Sequence, residues 1–188
     1  MTVIVYCSGS IQKGPQDTSR LCWSDLERAD VSRGAHPHEI RFLNPEDPVS
    51  DLGDTPAVFG RDMYQVRCAD AVIVDARERR GIGIGVEMLA SRLLGTKLVA
   101  VAPRSSYYRR DSLTFRGSTV GNYVHPHLAT LCDEVVDTFE DAGRWLAAHI
   151  GDAPGGTSIV YAAIAAYKER LLPADKPMLE LLPVLGNR

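Results

Sequence analysis

No apolar run in this sequence approaches the roughly 20 residues needed to cross a bilayer as a helix. The opening stretch MTVIVYCSGS lacks a basic region ahead of an apolar one and enters a strand pattern at once, so no signal segment is expected. Cysteine is sparse: Cys7, Cys22, Cys68 and Cys132 are scattered, with no CxxC pair. That excludes a disulfide framework and points to reduced thiols in a cytoplasmic protein. A strong charge of one sign is also missing. The net charge is −3, which gives no reason to expect nucleic-acid or membrane partners. Neither a Walker A loop nor a GxGxxG fingerprint is present; the run GIGIG lies in the wrong βα unit and has the wrong spacing. His36-Pro37-His38 and His125-Pro126-His127, with Cys132 nearby, lack further ligands at a recognised spacing, so neither a metal nor another cofactor is expected. No Ser-His-Asp arrangement, internal repeat or low-complexity segment is apparent.

What is present is an ordinary globular composition. The chain has 188 residues, 45% of them hydrophobic, enough for one domain with a proper core. Val3-Ile4-Val5-Tyr6-Cys7 reads as a buried strand that breaks at Ser8-Gly9-Ser10-Ile11-Gln12-Lys13-Gly14-Pro15. Asp17 or Thr18 suits the cap of a following helix, with Cys22, Leu26 and Ala29 as its apolar stripe. His38 to Leu43 partly alternates, as in a strand nearer an edge. Phe59, Met63 and Val66 mark a helix, and Ala71-Val72-Ile73-Val74 a strand covered on both faces. A glycine-rich loop and another helix follow, then the strand Lys97 to Ala102. Pro103 to His127 reads as a long loop with room for a short helix, and residues 133–137 as a short fifth strand before a helix from Phe139 to Ile150.

This alternation implies an α/β fold: a five-stranded parallel sheet in the flavodoxin-like order 2-1-3-4-5, with helices on both faces and an extra C-terminal helix. Residues 1–151 would form the main domain. Residues 152–188 would add a hinge, a helix from Ser158 to Leu171 and an apolar tail. In that strand order the loops after strands one and three share a cleft at their carboxyl ends, where ligands bind in open sheets.

Two carboxylates belong to that cleft. Asp62 is placed in the first half of its helix, at the edge of the apolar stripe. Glu87 follows Gly81, Gly83 and Gly85 in the first turn of the next helix, where the helix dipole favours a carboxylate. An oriented carboxylate is a competent nucleophile at a sugar anomeric carbon, and a second acid nearby can hold a hydroxyl or exchange a proton with a leaving base. The glycines let a ligand approach the backbone. A helix-start acid at Glu87 and a solvated one at Asp62 are the plainer reading of the same residues. Gly9 to Gly14, with Lys13, suits an anion cradle or an ordinary βα turn. Arg104, Arg109, Arg110 and Arg116, with Tyr107 and Tyr108, suit a loop closing over a nucleotide or a solvated surface.

Tyr6-Cys7-Ser8-Gly9-Ser10-Ile11, Arg61-Asp62 followed by Ala69-Asp70-Ala71-Val72-Ile73-Val74, and Gly83-Ile84-Gly85-Val86-Glu87 ahead of a helix resemble the nucleoside 2-deoxyribosyltransferase superfamily. The nearest look is to its 2'-deoxynucleoside 5'-monophosphate N-hydrolases. The resemblance covers approximately residues 3–102. It implies cleavage of an N-glycosidic bond without a metal, Glu87 as nucleophile, Asp62 near sugar and base, and Tyr6 lining the pocket. Ser8, Gly9, Ser10, Ile11, Gln12, Lys13, Gly83 and Gly85 would contact the substrate, a nucleoside or nucleoside monophosphate. The chain departs from the hydrolases at Gln12, where they carry Arg, and lacks a secure match to their strand-two His. The family often borrows a pocket residue from a neighbouring subunit, a role Ser112 or Ser118 would fill here.

Two functional readings stand at this point: a hydrolase or base-exchanging transferase, and a nucleotide-binding or sensing protein on the same fold without turnover. Val160, Ile164, Tyr167 and Leu171, widened by Ile159, Ala163 and Ala166, give the C-terminal helix more apolar surface than a complete sheet needs. A homodimer or dimer of dimers is therefore expected.

Overall fold

The computed structural model describes residues 1–11, 22–46, 53–79, 81–153 and 158–185. Its centre is a five-stranded parallel sheet. The strands are β1 (Thr2–Ser8), β2 (Glu39–Leu43), β3 (Ala71–Asp75), β4 (Lys97–Val101) and, last in the sheet, β7 (Glu134–Val136). Their spatial order is β2-β1-β3-β4-β7, the order expected of this alternation, with β7 as the fifth strand. Cys7 pairs with Ile73 and Ser8 with Val74, so β1 and β3 end side by side.

Strand alternation divides the core in two. Tyr6, Val72, Val74, Leu98 and Ala100 face one side, where Val66, Met88 and Leu128 pack. Val3, Val5, Cys7, Ile73, Val99 and Val101 face the other, against Val31, Phe139 and Leu146. All residues of β3 and β4 are buried. Each buried Val, Leu or Ile contributes about 1.5–3 kcal/mol, which fixes these strands as the rigid middle of the domain.

The helices are α1 (Asp25–Gly34), α2 (Thr55–Cys68), α3 (Ile82–Leu94), α4 (Pro126–Leu131), α5 (Phe139–His149), α6 (Ser158–Arg170) and α7 (Lys176–Leu185). Several expectations need correction. α1 starts at a Ser24 capping box: the Ser24 hydroxyl accepts from Leu26 N at 3.2 Å, and the Glu27 carboxylate accepts from Ser24 N at 2.9 Å. A cap of this kind is worth about 1 kcal/mol, which lets α1 begin well after Asp17 and Thr18, both outside the described residues. Cys22 lies before the helix, bridged to Ser10. Leu26 is 68% exposed and Phe59 56% exposed, so neither joins the stripe that periodicity assigned it.

The segment read as a long loop holds an antiparallel hairpin, β5 (Arg109–Phe115) and β6 (Ser118–Val124), followed by α4. Its turn is Arg116-Gly117, both with positive φ, the two-residue geometry that matches the twist of the strands. Most hairpin residues are exposed, so no hydrophobic alternation announces them. The apolar tail contains α7, joined to α6 by a single 3-10 turn at Leu172–Ala174. Among the described residues no helix is long and apolar enough to cross a membrane.

Candidate active site

The carboxyl ends of β1 and β3 bring Tyr6, Ser8 and Glu87 together. Tyr6 and Ser8 are two apart on β1, so both side chains leave the sheet on the face covered by α2 and α3. The Tyr6 hydroxyl donates to Glu87 Oε1 at 3.0 Å. The Ser8 hydroxyl donates to Glu87 Oε2. Each carboxylate oxygen thus has one fixed donor and keeps lone-pair capacity to spare. Two donors from one rigid strand set the plane of the carboxylate before any ligand arrives.

The electrostatics run against the helix-start argument. α3 begins at Ile82, so Gly83 and Gly85 belong to the helix rather than to a preceding loop, and Glu87 stands in its second turn. The dipole effect fades beyond the first turn. Burial instead pushes the Glu87 carboxyl above its ordinary value, opposed by the Ser8 and Tyr6 donors and reinforced by the charge of Asp62. Burial likewise raises Asp62, with Arg61 pulling the other way. Tyr6 is pushed far up, first by burial and then by the neighbouring Glu87 and Asp62 charges, so it remains a hydrogen-bond donor. Asp62 falls just past the middle of α2, not in its first half, and its charge is felt at both Glu87 and Tyr6. Two carboxyl groups with raised affinity for a proton thus stand near one buried phenol.

Gly83 and Gly85 are exposed on the first turn of α3. A Cβ at Gly83 would lie 3.9 Å from Glu87 Oε1. Because Gly83 and Glu87 are four apart, a longer side chain there would stand over the carboxylate. The far end of α3 is pinned. Arg92, 1% exposed, places Nη1 2.8 Å from Asp133 Oδ1 and donates from Nε to the Leu131 carbonyl. The other Asp133 oxygen accepts from Leu98 N at 2.8 Å, so helix, strand and the segment before β7 are tied together.

The remaining expected residues divide. Gly9 borders Ser8, but its missing side chain is explained by packing: a Cβ there would fall 2.8 Å from Trp23 Cδ1. Ser10 forms the bridge with Cys22, and Ile11 is half-buried beyond it. Gln12 and Lys13 lie outside the described residues. Ser112 is exposed on β5 opposite Gly121 and makes no side-chain hydrogen bond among the described residues. The loop of Arg104, Arg109, Arg110 and Arg116 is divided too: Arg109 pairs with Asp137 at 3.1 Å, while the Arg79 and Arg110 guanidinium carbons sit 5.6 and 5.8 Å from the Tyr107 ring centroid. His125 accepts from His127 N at 3.3 Å through Nδ1 and so caps α4. Burial and the neighbouring His127 hold the His125 ring below its usual value.

Sequence reasoning named Ser8 without its partner. The signal was available, because strand alternation puts Ser8 on the same face as Tyr6. It missed Trp23, which no periodicity marks, and the cluster in which Arg77 forks onto Asp75 (Nε–Oδ1 2.9 Å, Nη2–Oδ2 2.9 Å) and reaches Glu27 (Nη1–Oε1 2.8 Å).

No family model matches the sequence, and no curated protein matches it. Solved structures do. A 2-deoxyribosyltransferase from Leishmania mexicana superposes with a TM-score of 0.54 at 16% identity, over 78% of this chain and 98% of that one. A 2-deoxyribosyltransferase from the psychrotolerant bacterium Bacillus psychrosaccharolyticus superposes with a TM-score of 0.51 at 16% identity, over 81% of this chain and 98% of that one. At such identities the likeness is one of architecture: this chain has the α/β fold of those deoxyribosyltransferases.

Proposed function

We propose that the protein cleaves the N-glycosidic bond of a nucleoside, deoxynucleoside or 5'-monophosphate, by hydrolysis or base exchange, with Glu87 as nucleophile. The observation that carries this reading is the Glu87 carboxylate held by two donors, Tyr6 and Ser8, beside Asp62. The structural likeness to 2-deoxyribosyltransferases supports the same chemistry.

In this mechanism a Glu87 oxygen attacks C1' while the bond from C1' to the base nitrogen breaks. The base leaves with the electron pair and takes a proton from Asp62, whose raised affinity for a proton suits it to the acid role. The product is a glycosyl ester on Glu87. Water activated by the Asp62 carboxylate then attacks C1' and frees Glu87, or the ring nitrogen of a second base does so and completes an exchange. The two fixed donors require no rearrangement as charge leaves and returns to Glu87.

The test is to incubate the protein with a panel of nucleosides and their 5'-monophosphates and follow free base by chromatography. Base release is expected from at least one, falling by about 10³-fold or more in Glu87→Ala. Adding a second free base separates transferase from hydrolase, since only exchange makes a new nucleoside. Saturable binding without product would identify a nucleotide-binding protein on the same fold and end the enzymatic reading.

A further inference from the structure

The Ser8–Gly9 peptide is gripped from the side of the sheet opposite Glu87. Trp23, 6% exposed, donates its indole N–H to the Ser8 carbonyl at 3.1 Å. Gly9 leaves room only for this ring: a Cβ there would meet Trp23 Cδ1 at 2.8 Å and Asp75 Cβ at 3.6 Å. The indole is itself held, edge-on against Phe139 at 4.7 Å and tilted against Phe42 at 6.5 Å. Phe139 carries the Arg77 guanidinium at 4.8 Å, and Arg77 forks onto the fully buried Asp75.

We propose that Trp23 is a positioning residue for Glu87, acting through the sheet: its indole N–H fixes the end of β1 and so aims the Ser8 hydroxyl at the Glu87 carboxylate. The argument is geometric. A serine hydroxyl rotates freely, so the direction of its hydrogen bond depends on where the backbone holds Cβ. The β1–β2 ladder ends at Tyr6↔Leu43, two residues before Ser8. On the other side the pairing with β3 reaches Ser8 at Val74. Past the end of β2, the indole N–H supplies a hold on the Ser8 carbonyl. The ring that supplies it is seated on side chains of α5 and β2, Phe139 and Phe42, rather than on the Glu87 side of the sheet.

The groups facing Glu87 are Tyr6 and Ser8 from β1 and Asp62 from α2, with Arg61 beside Asp62. Replacing Trp23 leaves Tyr6, Asp62 and Arg61 in place. A loosened Ser8 withdraws a donor from the ionised carboxylate, which raises the pH at which Glu87 ionises.

This inference rests on Glu87 being the reactive carboxylate, but its principal readout needs no turnover. In protein carrying ¹³C-carboxyl glutamate, the Glu87 signal is assigned by its loss in Glu87→Gln and then titrated. Trp23→Phe should raise the Glu87 midpoint in the same direction as Ser8→Ala, and should add nothing in the Ser8→Ala background. β-(3-Benzothienyl)alanine at position 23 keeps the bicyclic shape and removes only the N–H, so it gives the same result if Phe fails to support folding. With substrate, kcat should fall about 10-fold, as for loss of a hydrogen bond to a charged group, with KM unchanged. An unchanged Glu87 midpoint in these variants overturns the proposal. So does an undiminished further shift in the Ser8→Ala background. Coupled titrations in a protein that releases no base would leave Trp23 in its positioning role and remove the glycosidase reading alone.

Discussion

Gly34 and Gly143 sit at one crossing of α1 and α5, each pressed against the backbone of the other's helix. A Cβ at Gly34 would fall 2.0 Å from the Glu140 carbonyl oxygen, and a Cβ at Gly143 would fall 2.2 Å from that of Val31. Neither neighbour can swing aside, because both are backbone. Gly143→Ala should therefore cost about 3 kcal/mol, the upper end of overpacking, despite the better helix propensity of alanine. Urea denaturation measures it, and an unchanged midpoint would show that the helices part freely.

Arg77 neutralises a carboxylate that has no solvent exposure, Asp75. Arg77→Met should destabilise the fold by about 3–5 kcal/mol, because it takes the bidentate guanidinium away from a buried carboxylate. The double variant Asp75→Asn/Arg77→Met should recover much of that loss, since it removes both charges. Equal stability of the single and double variants would mean that the pair is not electrostatically coupled.

Glu87 ties stability to function with opposite signs. Its folded-state affinity for a proton is raised by burial, so it contributes stability below the unfolded value of about 4.3, and that contribution is lost as pH rises through the folded value. Glu87→Gln should therefore be more stable than the parent at pH 7, with the gain vanishing below about pH 4. In the proposed mechanism the carboxylate is the attacking form, so kcat/KM should have an acid limb above the ordinary Glu range. Thermal melts at both pH values and a pH–rate profile check the two halves. A neutral-pH melt no higher than the parent's contradicts the first.

Gly83 shows the same opposition. Leucine is a better helix former than glycine by about 0.7–1 kcal/mol, and the position is exposed in the first turn of α3. Yet its side chain would project over Glu87 Oε1, 3.9 Å from the first added carbon. Gly83→Leu should keep or raise the melting temperature while removing most base release. Full activity in this variant would place the substrate on another approach.

Assembly offers a fifth measurement. α6 has no buried residue, Tyr161 and Ile164 are exposed along it and Leu171 just beyond it, although the Tyr167 hydroxyl donates to Asp175 at 2.8 Å and braces the turn to α7. We expect this surface to be buried in a homodimer or dimer of dimers, with residues 152–188 or the segment that holds the hairpin in the interface. Light scattering on the intact chain should give at least twice the monomer mass, and truncation after Asp152 should reduce it. A monomeric intact chain excludes the expectation.

The sheet was legible because buried strands in parallel sheets have a plain signature: the apolar runs of β1, β3 and β4 leave few alternatives. Glu87 and Asp62 stood out because carboxylates beside such runs are unusual. Three things escaped for physical reasons. The hairpin is exposed on both faces, so burial imprints no alternation on Arg109–Phe115 or Ser118–Val124. The start of α3 looked like a loop because glycine propensity argues against helix, whereas the chain keeps Gly83 and Gly85 helical. Trp23 acts through a carbonyl 15 residues away and one sheet layer below the cleft, a relation no local pattern encodes.

The Arg92 anchor has a dynamic consequence. A helix locked to β4 and to the segment before β7 by a buried guanidinium cannot tilt without breaking that ion pair, so Glu87 rides on an anchored helix. The β5–β6 hairpin, by contrast, rests on few buried side chains, which makes it a low-stability element of the fold. Amide exchange should accordingly be slow across α3 and faster in the hairpin.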